Sequence, residues 1–249
     1  MNQALELGAV APLYKAVKQL LTQELAAGEW RPGEALPSEA KLAERFGVSI
    51  GTVRKAIDEL VAERMVVRHQ GRGTFVASHN TSRQLFHFFH IVPHAGDRQH
   101  PRTETLAFRR GRAESGEAAR LRVATGEPVF RIRNLLRLEG RAVALDDLVL
   151  TQAQFPDLTE KIFTGRANTI YHLYQTRYGI NVLRTSERLR ATLAGADVAK
   201  LLGVRKGAPL LEINRVALTY HDVPVELRRS LVNTEQHEYF SDLGKDEAR

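Results

Sequence analysis

One stretch, Leu36 to Val76, restricts the fold more than any other part of the chain: LPSEAKLAERFGVSIGTVRKAIDELVAERMVVRHQGRGTFV. Ser38 can cap a helix that begins at Glu39, because its hydroxyl can accept a bond from an orphan amide of the first turn. Gly47 falls where that helix has to stop in a left-handed conformation, and Ser49 can cap a second helix running from Ile50 to about Glu63. The two helices then meet at a sharp angle instead of fusing. Within the second, Val53, Ile57, Leu60 and Val61 recur at helical spacing as one apolar face, while Gly51, Thr52 and Lys55 lie opposite with Arg54 on the border. Val66 and Val67 lead into Arg68, His69, Gln70, Gly71, Arg72, Gly73 and Thr74, and Phe75 and Val76 lead out, the pattern of a basic hairpin.

A helix that buries one face and presents Gly, Thr, Lys and Arg near its N-terminus suits the major groove of DNA. Small residues permit deep entry, the amide-rich end favours phosphate, and Arg or Lys can bond to guanine edges. A solvated amphipathic helix would look the same. The hairpin decides between the two readings, since its glycines permit a positive-φ turn and close backbone approach while Arg68 and Arg72 supply phosphate contacts.

The segment from Pro12 to Val76 resembles the winged helix-turn-helix of the GntR family of bacterial transcription regulators. The resemblance is carried by PLYKAVKQLL, GEWRPGEALPSE, LAERFGVSIGTVRKAIDEL and RHQGRGTFV. It implies base and phosphate contacts at Ser49, Thr52, Arg54, His69, Gln70 and Gly71. Ser38, Lys55, Arg68, Arg72 and Gly73 complete the candidate DNA-binding set. Two positions depart from the family pattern: Ala40 stands where Arg is frequent, and Ile50 where a large polar or basic residue is frequent.

Charge does not locate this surface. The formal net charge is +7, but residues 1–78 contribute only +1 of it and the remainder +6. The 249 residues suffice for two ordinary domains, and 43% hydrophobic with 26% charged is a globular composition. The absence of cysteine excludes disulfide and thiolate chemistry. Without an apolar run of spanning length or a signal-like N-terminus, a cytoplasmic location is expected.

Residues 1–11 read as a lead-in. A helix follows from Pro12, with Leu13, Val17, Leu20, Leu21 and Leu25 on one face and Gly28 as its stop. Trp30 reads as a packing anchor. The expected domains are a winged helix-turn-helix at 1–76, a polar linker at 77–84, and a second domain at 85–249. The last mixes strands (Leu85 to Val92, Thr105 to Gly111, Val129 to Leu138, Ala142 to Leu150, Asn181 to Ala191, Leu210 to Tyr220, Val225 to Val232) with helices (Ser115 to Leu121, Thr169 to Tyr178, Gly195 to Leu202). The fold class predicted is α+β, with an antiparallel sheet carrying helices on one face.

The second domain contains an internal repeat. Ala119 to Ile132 recurs as Ala199 to Ile213, each copy a helix, a Gly-x-Pro turn and a strand, and each is followed by a hairpin whose return strand carries an acid. By spacing those acids are Asp146, twenty residues after Gly126, and Glu226, nineteen after Gly207. Two such halves in one sheet would form a cleft with pseudo-twofold symmetry.

This region resembles the UTRA effector-binding domain of the HutC subgroup of the same family, a domain similar in fold to chorismate lyase. EAARLRVATGEPVFRI, TIYHLYQTRYG, VAKLLGVRKGAPLLEINR and VPVELRRSLVNTEQHEYF carry the resemblance. It implies effector contacts at Asp146, Thr169, Tyr171, Glu226, and His237 or Tyr239. Asn134 and Leu136 occupy the positions of a common Arg-x-Arg pair, and Arg131 and Arg133 would take that role only through a register shift. Thr169 also reads as a helix cap, and Tyr171 equally as core. His87, His90, His94 and His100 fit no zinc template, and neither a metal nor a cofactor is expected.

The function expected is a dimeric repressor on a pseudo-palindromic operator, released by a small metabolite such as a carboxylate or sugar phosphate. The rivals are a lyase-like enzyme, for which no catalytic motif stands out, and a DNA-binding module whose second domain only dimerises.

Overall fold

The computed structural model describes residues 12–79, 88–95 and 97–241, and their contacts divide into two compact units. The expected lead-in at 1–11, most of the expected linker, the start of the strand expected from Leu85, and His87 lie outside the described residues.

The first unit holds the described residues up to His79 together with Tyr174–Leu183. Its elements are α1 (Leu13–Ala27), α2 (Glu39–Phe46), α3 (Ile50–Ala62), β1 (Val66–His69) and β2 (Gly73–Val76). Val17, Leu20, Leu21 and Leu25 of α1 are buried with Leu42 and Phe46 of α2 and Val53, Ile57 and Leu60 of α3, while Leu13 is exposed. Truncating one of the buried leucines to alanine would cost about 2–5 kcal/mol. Gly28 and Gly47 end their helices at φ 78° and 63°, where a side chain would be strained. Residues 33–36 run beside β2: Gly33 donates its amide to the Val76 carbonyl and Leu36 to that of Thr74, so the turn after Trp30 completes the wing sheet. Buried Gln175 is satisfied on each side, donating to the Ala77 carbonyl and to Asn181 Oδ1 and accepting from the His79 amide. Periodicity carries no signal for this attachment.

The second unit is built on a six-stranded antiparallel sheet in the order β4-β5-β6-β9-β8-β7. Its strands are β4 (Arg102–Arg112), β5 (Pro128–Leu138), β6 (Arg141–Thr151), β7 (Arg184–Leu193), β8 (Pro209–Leu218) and β9 (Pro224–Val232). A small second sheet pairs β3 (Ile91–Pro93) with β10 (His237–Tyr239). The helices are α4 (Ser115–Leu121), α5 (Glu160–Thr164), α6 (Ile170–Tyr178) and α7 (Ala196–Leu202), with α6 reaching into the first unit's segment. The strand expected from Asn181 begins at Arg184, because residues 181–183 belong to the first unit.

The duplication is present from Ala107 of β4 through β5 and again from Arg188 of β7 through β8, the first copy alone having a register shift between Thr105 and Ala107. Arg109 opposite Arg131 recurs 81 positions later as Arg190 opposite Glu212, and Ala107 opposite Arg133 as Arg188 opposite Asn214. Ala113 receives a bond from Gly126 and donates to Glu127, and Ala194 does the same with Gly207 and Ala208. The same offset then shows that spacing misassigned the matched acids. Asn134 faces Asp146 in the first half, and its counterpart Arg215 faces Arg228 in the second, so the counterpart of Asp146 is Arg228 and not Glu226.

Helices cover both sheet faces, where the sequence led us to expect one. Leu135, Leu145, Val149, Leu227 and Leu231 point to the face packed by α4 and α7, the helices of the repeats. The connection between β6 and β7 crosses the other face. There Phe163 of α5 lies 6.1 Å from the Phe108 ring, and Tyr171 of α6 reaches Glu226. A helix in a crossover has no periodicity that tells which side it takes, and tertiary packing decides.

Candidate functional site

The candidate DNA-binding surface is assembled from α2, α3 and the wing. Ser49 Oγ accepts from the Thr52 amide at 3.1 Å and lies 2.9 Å from the Thr52 hydroxyl, fixing the N-terminal turn of α3. Ser38 caps α2 by accepting from the Lys41 amide at 3.3 Å. Glu39 draws the three elements together: one carboxylate oxygen accepts from Arg54 Nε at 2.9 Å and the other from Arg68 Nη2 at 3.0 Å. Arg68 also reaches Asp58. The Arg54 side chain stays 61% exposed. Lys55 is placed differently from Thr52 and Arg54, since its ammonium sits 4.1 Å from the centre of the Tyr14 ring on α1.

At the wing tip Gly71 and Gly73 take φ 71° and 110°, and the Arg72 amide closes the turn on the His69 carbonyl. His69 and Arg72 both lie against the Phe75 ring, at 5.1 and 5.8 Å, while Gln70 is exposed. Ile50, 46% exposed at the start of α3, is an apolar side chain on an otherwise polar surface. A hydrophobic residue in the first helical position beyond a Ser cap was the signal for it.

The candidate effector site is a polar cluster on the sheet face crossed by α5 and α6. Arg228 grips Glu226 with two parallel bonds of 2.9 and 3.1 Å and turns a third nitrogen to Asp146 Oδ2 at 3.3 Å. The Tyr171 hydroxyl donates to Glu226 at 3.2 Å, and the Arg228 guanidinium lies 5.6 Å from the Tyr171 ring. Arg215 pairs with Glu187, which accepts from the Tyr239 hydroxyl. Burial, seconded by Glu226, pushes the Tyr171 phenol up to about 12. Burial also raises Asp146, against the pull of Arg228. Burial alone would raise Glu187, but Arg215 and Tyr239 hold it below the usual range. Asn134 accepts from the Thr105 hydroxyl at 2.9 Å. Asn134 Nδ2 and Asp146 Oδ1, on directly opposed residues that are 0% and 2% exposed, have no hydrogen-bond partner among the described residues.

The structure thus brings together Asp146, Tyr171, Glu226 and Tyr239. Thr169 caps α6 by accepting from the His172 amide, two residues before Tyr171. His237 is at the other end of β10, where burial lowers its pKa and its charged neighbours are His94, Glu139 and Arg141. Arg131 and Arg133 are on the opposite sheet face, closed by bidentate pairs to Glu117 (2.7 and 2.8 Å) and Asp147 (2.6 and 3.1 Å). Arg215, Arg228 and Glu187 were missed as members. The available signal was an arginine two residues from Ile213 and from Glu226, on the buried side of each strand's alternation.

The family model for the UTRA domain matches residues 97–238, and that for bacterial regulatory proteins of the gntR family matches residues 13–76. The chain belongs to the GntR family, in its HutC subgroup. It is 33% identical to the histidine utilization repressor of Klebsiella aerogenes, over 83% of this chain and 85% of that one. It is 26% identical to the mannosyl-D-glycerate transport/metabolism system repressor MngR of Escherichia coli, over 92% and 94%. Among solved structures, the ligand-binding domain of a GntR-family regulator from Bordetella bronchiseptica superposes with a TM-score of 0.61 at 34% identity, covering 63% of this chain and 97% of that one. PhnF from Mycobacterium smegmatis superposes at 0.52 and 25% identity, covering 92% and 100%. This GntR chain is accordingly a DNA-binding transcription regulator of the repressor type, with a UTRA effector-binding domain. No helix among the described residues is long and apolar enough to cross a membrane.

Proposed function

We propose that this regulator acts in the cytoplasm as a homodimer whose two winged heads, residues 1–76, sit on a pseudo-palindromic operator, and that a small metabolite bound by the UTRA domain, residues 85–249, releases it. One wing and helix bury too little surface for strong specificity, which supports a dimer. Arg54 and Thr52 read base edges, Ile50 contacts a thymine methyl, and Ser38, Ser49, Arg68 and the wing from His69 to Gly73 hold the backbone. Lys55 contributes field more than contact while it rests on Tyr14.

The observation that carries the effector reading is the unpartnered pair Asn134 Nδ2 and Asp146 Oδ1. A buried donor beside a buried acceptor costs stability until something bonds to both. A hydroxyl or amino group adjacent to an acceptor, as on a sugar or amino compound, satisfies them. Arg215 and Arg228 are both occupied by carboxylates, so the carboxylate or phosphate of an anionic effector would have to displace Glu187 or Glu226. Arg228 holding Glu226 on both oxygens, which occupies that carboxylate as a base, supports a site that binds.

The test is binding to the DNA upstream of the protein's own gene, against random duplex, with a pool of small metabolites. Specific binding released by one member is the expected result, with release lost in Asp146→Asn while DNA affinity is kept. Consumption of that metabolite would replace this reading by an enzyme, and failure of any member to release DNA would leave a dimerisation module.

A further inference from the structure

We infer that the UTRA domain has a second ligand site, for a compact anion of two or more negative charges, on the sheet face opposite the Asp146 cluster. The site is a cleft of about 620 Å³ over β7 and β8, in the size range of small-molecule pockets. Its floor combines Val216, Leu218 and Pro224 with Ser186 and Asn214, and arginines rim it.

Three of those guanidiniums form no salt bridge among the described residues, Arg120 and Arg122 acting on Glu117 and Asp222 only at longer range. Arg188 makes no hydrogen bond or ion pair among the described residues. Arg120 bonds to the Gly116 carbonyl and Arg122 to the Asp222 carbonyl, leaving their remaining donors to the cleft. The other two arginines of the lining are closed by acids, Arg184 by Asp222 and Arg190 by Glu212, which itself lines the cleft. Beyond it on this face Glu117 closes Arg131, Asp147 closes Arg133, and Glu212 also holds Arg229. Glu212, lowered to about 2 chiefly by its bond to Arg229, stays ionised and anchors that wall.

The other half of the duplicated sheet provides an internal comparison. At the 81-residue offset, the counterparts of Arg120, Arg122 and Arg188 are Leu201, Gly203 and Ala107. The same framework therefore forms without any of the three charges. Arg122 also occupies a helix C-cap at φ 56°, the left-handed conformation that Gly203 takes at 68° in its counterpart. A non-glycine residue there is strained, and such strain persists where the side chain serves a purpose. What the Arg122 side chain adds here is a third positive charge at the cleft. Guanidiniums bind carboxylates and phosphates through parallel charge-assisted bonds, so the ligand class is a di- or tricarboxylate or a phosphate ester. A second copy of the chain is a poor occupant, since a twofold contact here would set arginines against arginines.

The experiment titrates the full chain with citrate and with inorganic pyrophosphate, using acetate at matched ionic strength as the control, and follows heat of binding and Tm. Citrate, pyrophosphate or both are expected to bind and raise Tm, while acetate does neither. Arg188→Ala and Arg122→Gly, which install the residues of the other half, should each weaken binding about tenfold, as for loss of a charge-assisted bond. Arg122→Gly should do so with an unliganded Tm that is unchanged or higher, which a merely damaged fold could not give. Arg133→Gln, the same charge change on the same face, should leave binding within about twofold. The site is refuted if neither anion binds, if Arg133→Gln weakens binding as much as Arg188→Ala, or if Asp146→Asn is the variant that abolishes it. Loss of DNA affinity in Arg188→Ala without any anion binding would assign the cleft to DNA phosphates and refute it equally.

Discussion

Glu39 in the winged head and Glu226 in the sheet each hold arginine, yet they illustrate opposite uses of an ion pair. Glu39 bridges Arg54 and Arg68 on a wet surface, where the pairs are weak and easily exchanged for phosphate or base contacts. Glu226 is fully buried with Arg228 and Tyr171 around it, where neither charge can be left alone. The head thus keeps the groups proposed to contact DNA, Arg54 and Arg68, in pairs that can open. The sheet fixes its groups in pairs that cannot, and in this cluster leaves one atom each of Asn134 and Asp146, Nδ2 and Oδ1, without a partner among the described residues.

Glu226→Ala should break the contrast most severely. It leaves buried Arg228 with Asp146, at 3.3 Å, as its one carboxylate among the described residues, and should cost about 3–5 kcal/mol in urea denaturation. A loss below about 1 kcal/mol would mean that water reaches the cluster. Glu212 sharpens the comparison through pH. Its carboxylate titrates at about 2 when folded against an ordinary 4.5, so its contribution is complete above about 4.5 and is lost as pH falls toward about 2. Glu212→Gln should flatten the acid limb of the stability curve in that window and leave the limb above pH 5 parallel to the original. In the head, Arg54→Ala should weaken binding to the specific operator by about 1–3 kcal/mol and to random duplex by much less. Equal losses on the two duplexes would remove Arg54 from base reading. The smallest effect belongs to Glu39→Ala, which should change stability by less than about 1 kcal/mol and strengthen DNA binding at low salt, since it frees Arg54, leaves Arg68 to Asp58 alone and removes a like charge from the phosphates. Weaker binding would show that Glu39 orients the arginines for their contacts.

What the sequence disclosed was whatever local chemistry determines. Ser38 and Ser49 had to cap, Gly47 had to turn, and the repeated Gly-x-Pro announced the halves of the sheet. The head was legible almost to the residue, because each of its steps rests on neighbours within a few positions. In the sheet the strands could be read, but their pleat phase and pairing could not. Arg131, Arg133 and Asn134 differ by single steps, and one step moves a side chain through the sheet. That is why Arg131 and Arg133, which only a register shift would bring beside Asp146, lie on the opposite face, and why alternation alone does not single out Arg215 and Arg228. Lys55 follows the same logic on a helix, since its stem is long enough for Tyr14 to decide where the charge rests.

The 81-residue offset has a chemical consequence. At the axis of a true symmetric dimer, a residue that reaches across meets its own copy, so an acid would confront an acid. Here the two halves are one covalent chain, and each has been free to change alone. The position that carries Asp146 in one half carries Arg228 in the other, and the two meet as an ion pair. Covalent fusion has therefore made available a pairing of opposites that symmetry would have forbidden, at the place proposed to recognise a ligand without symmetry of its own.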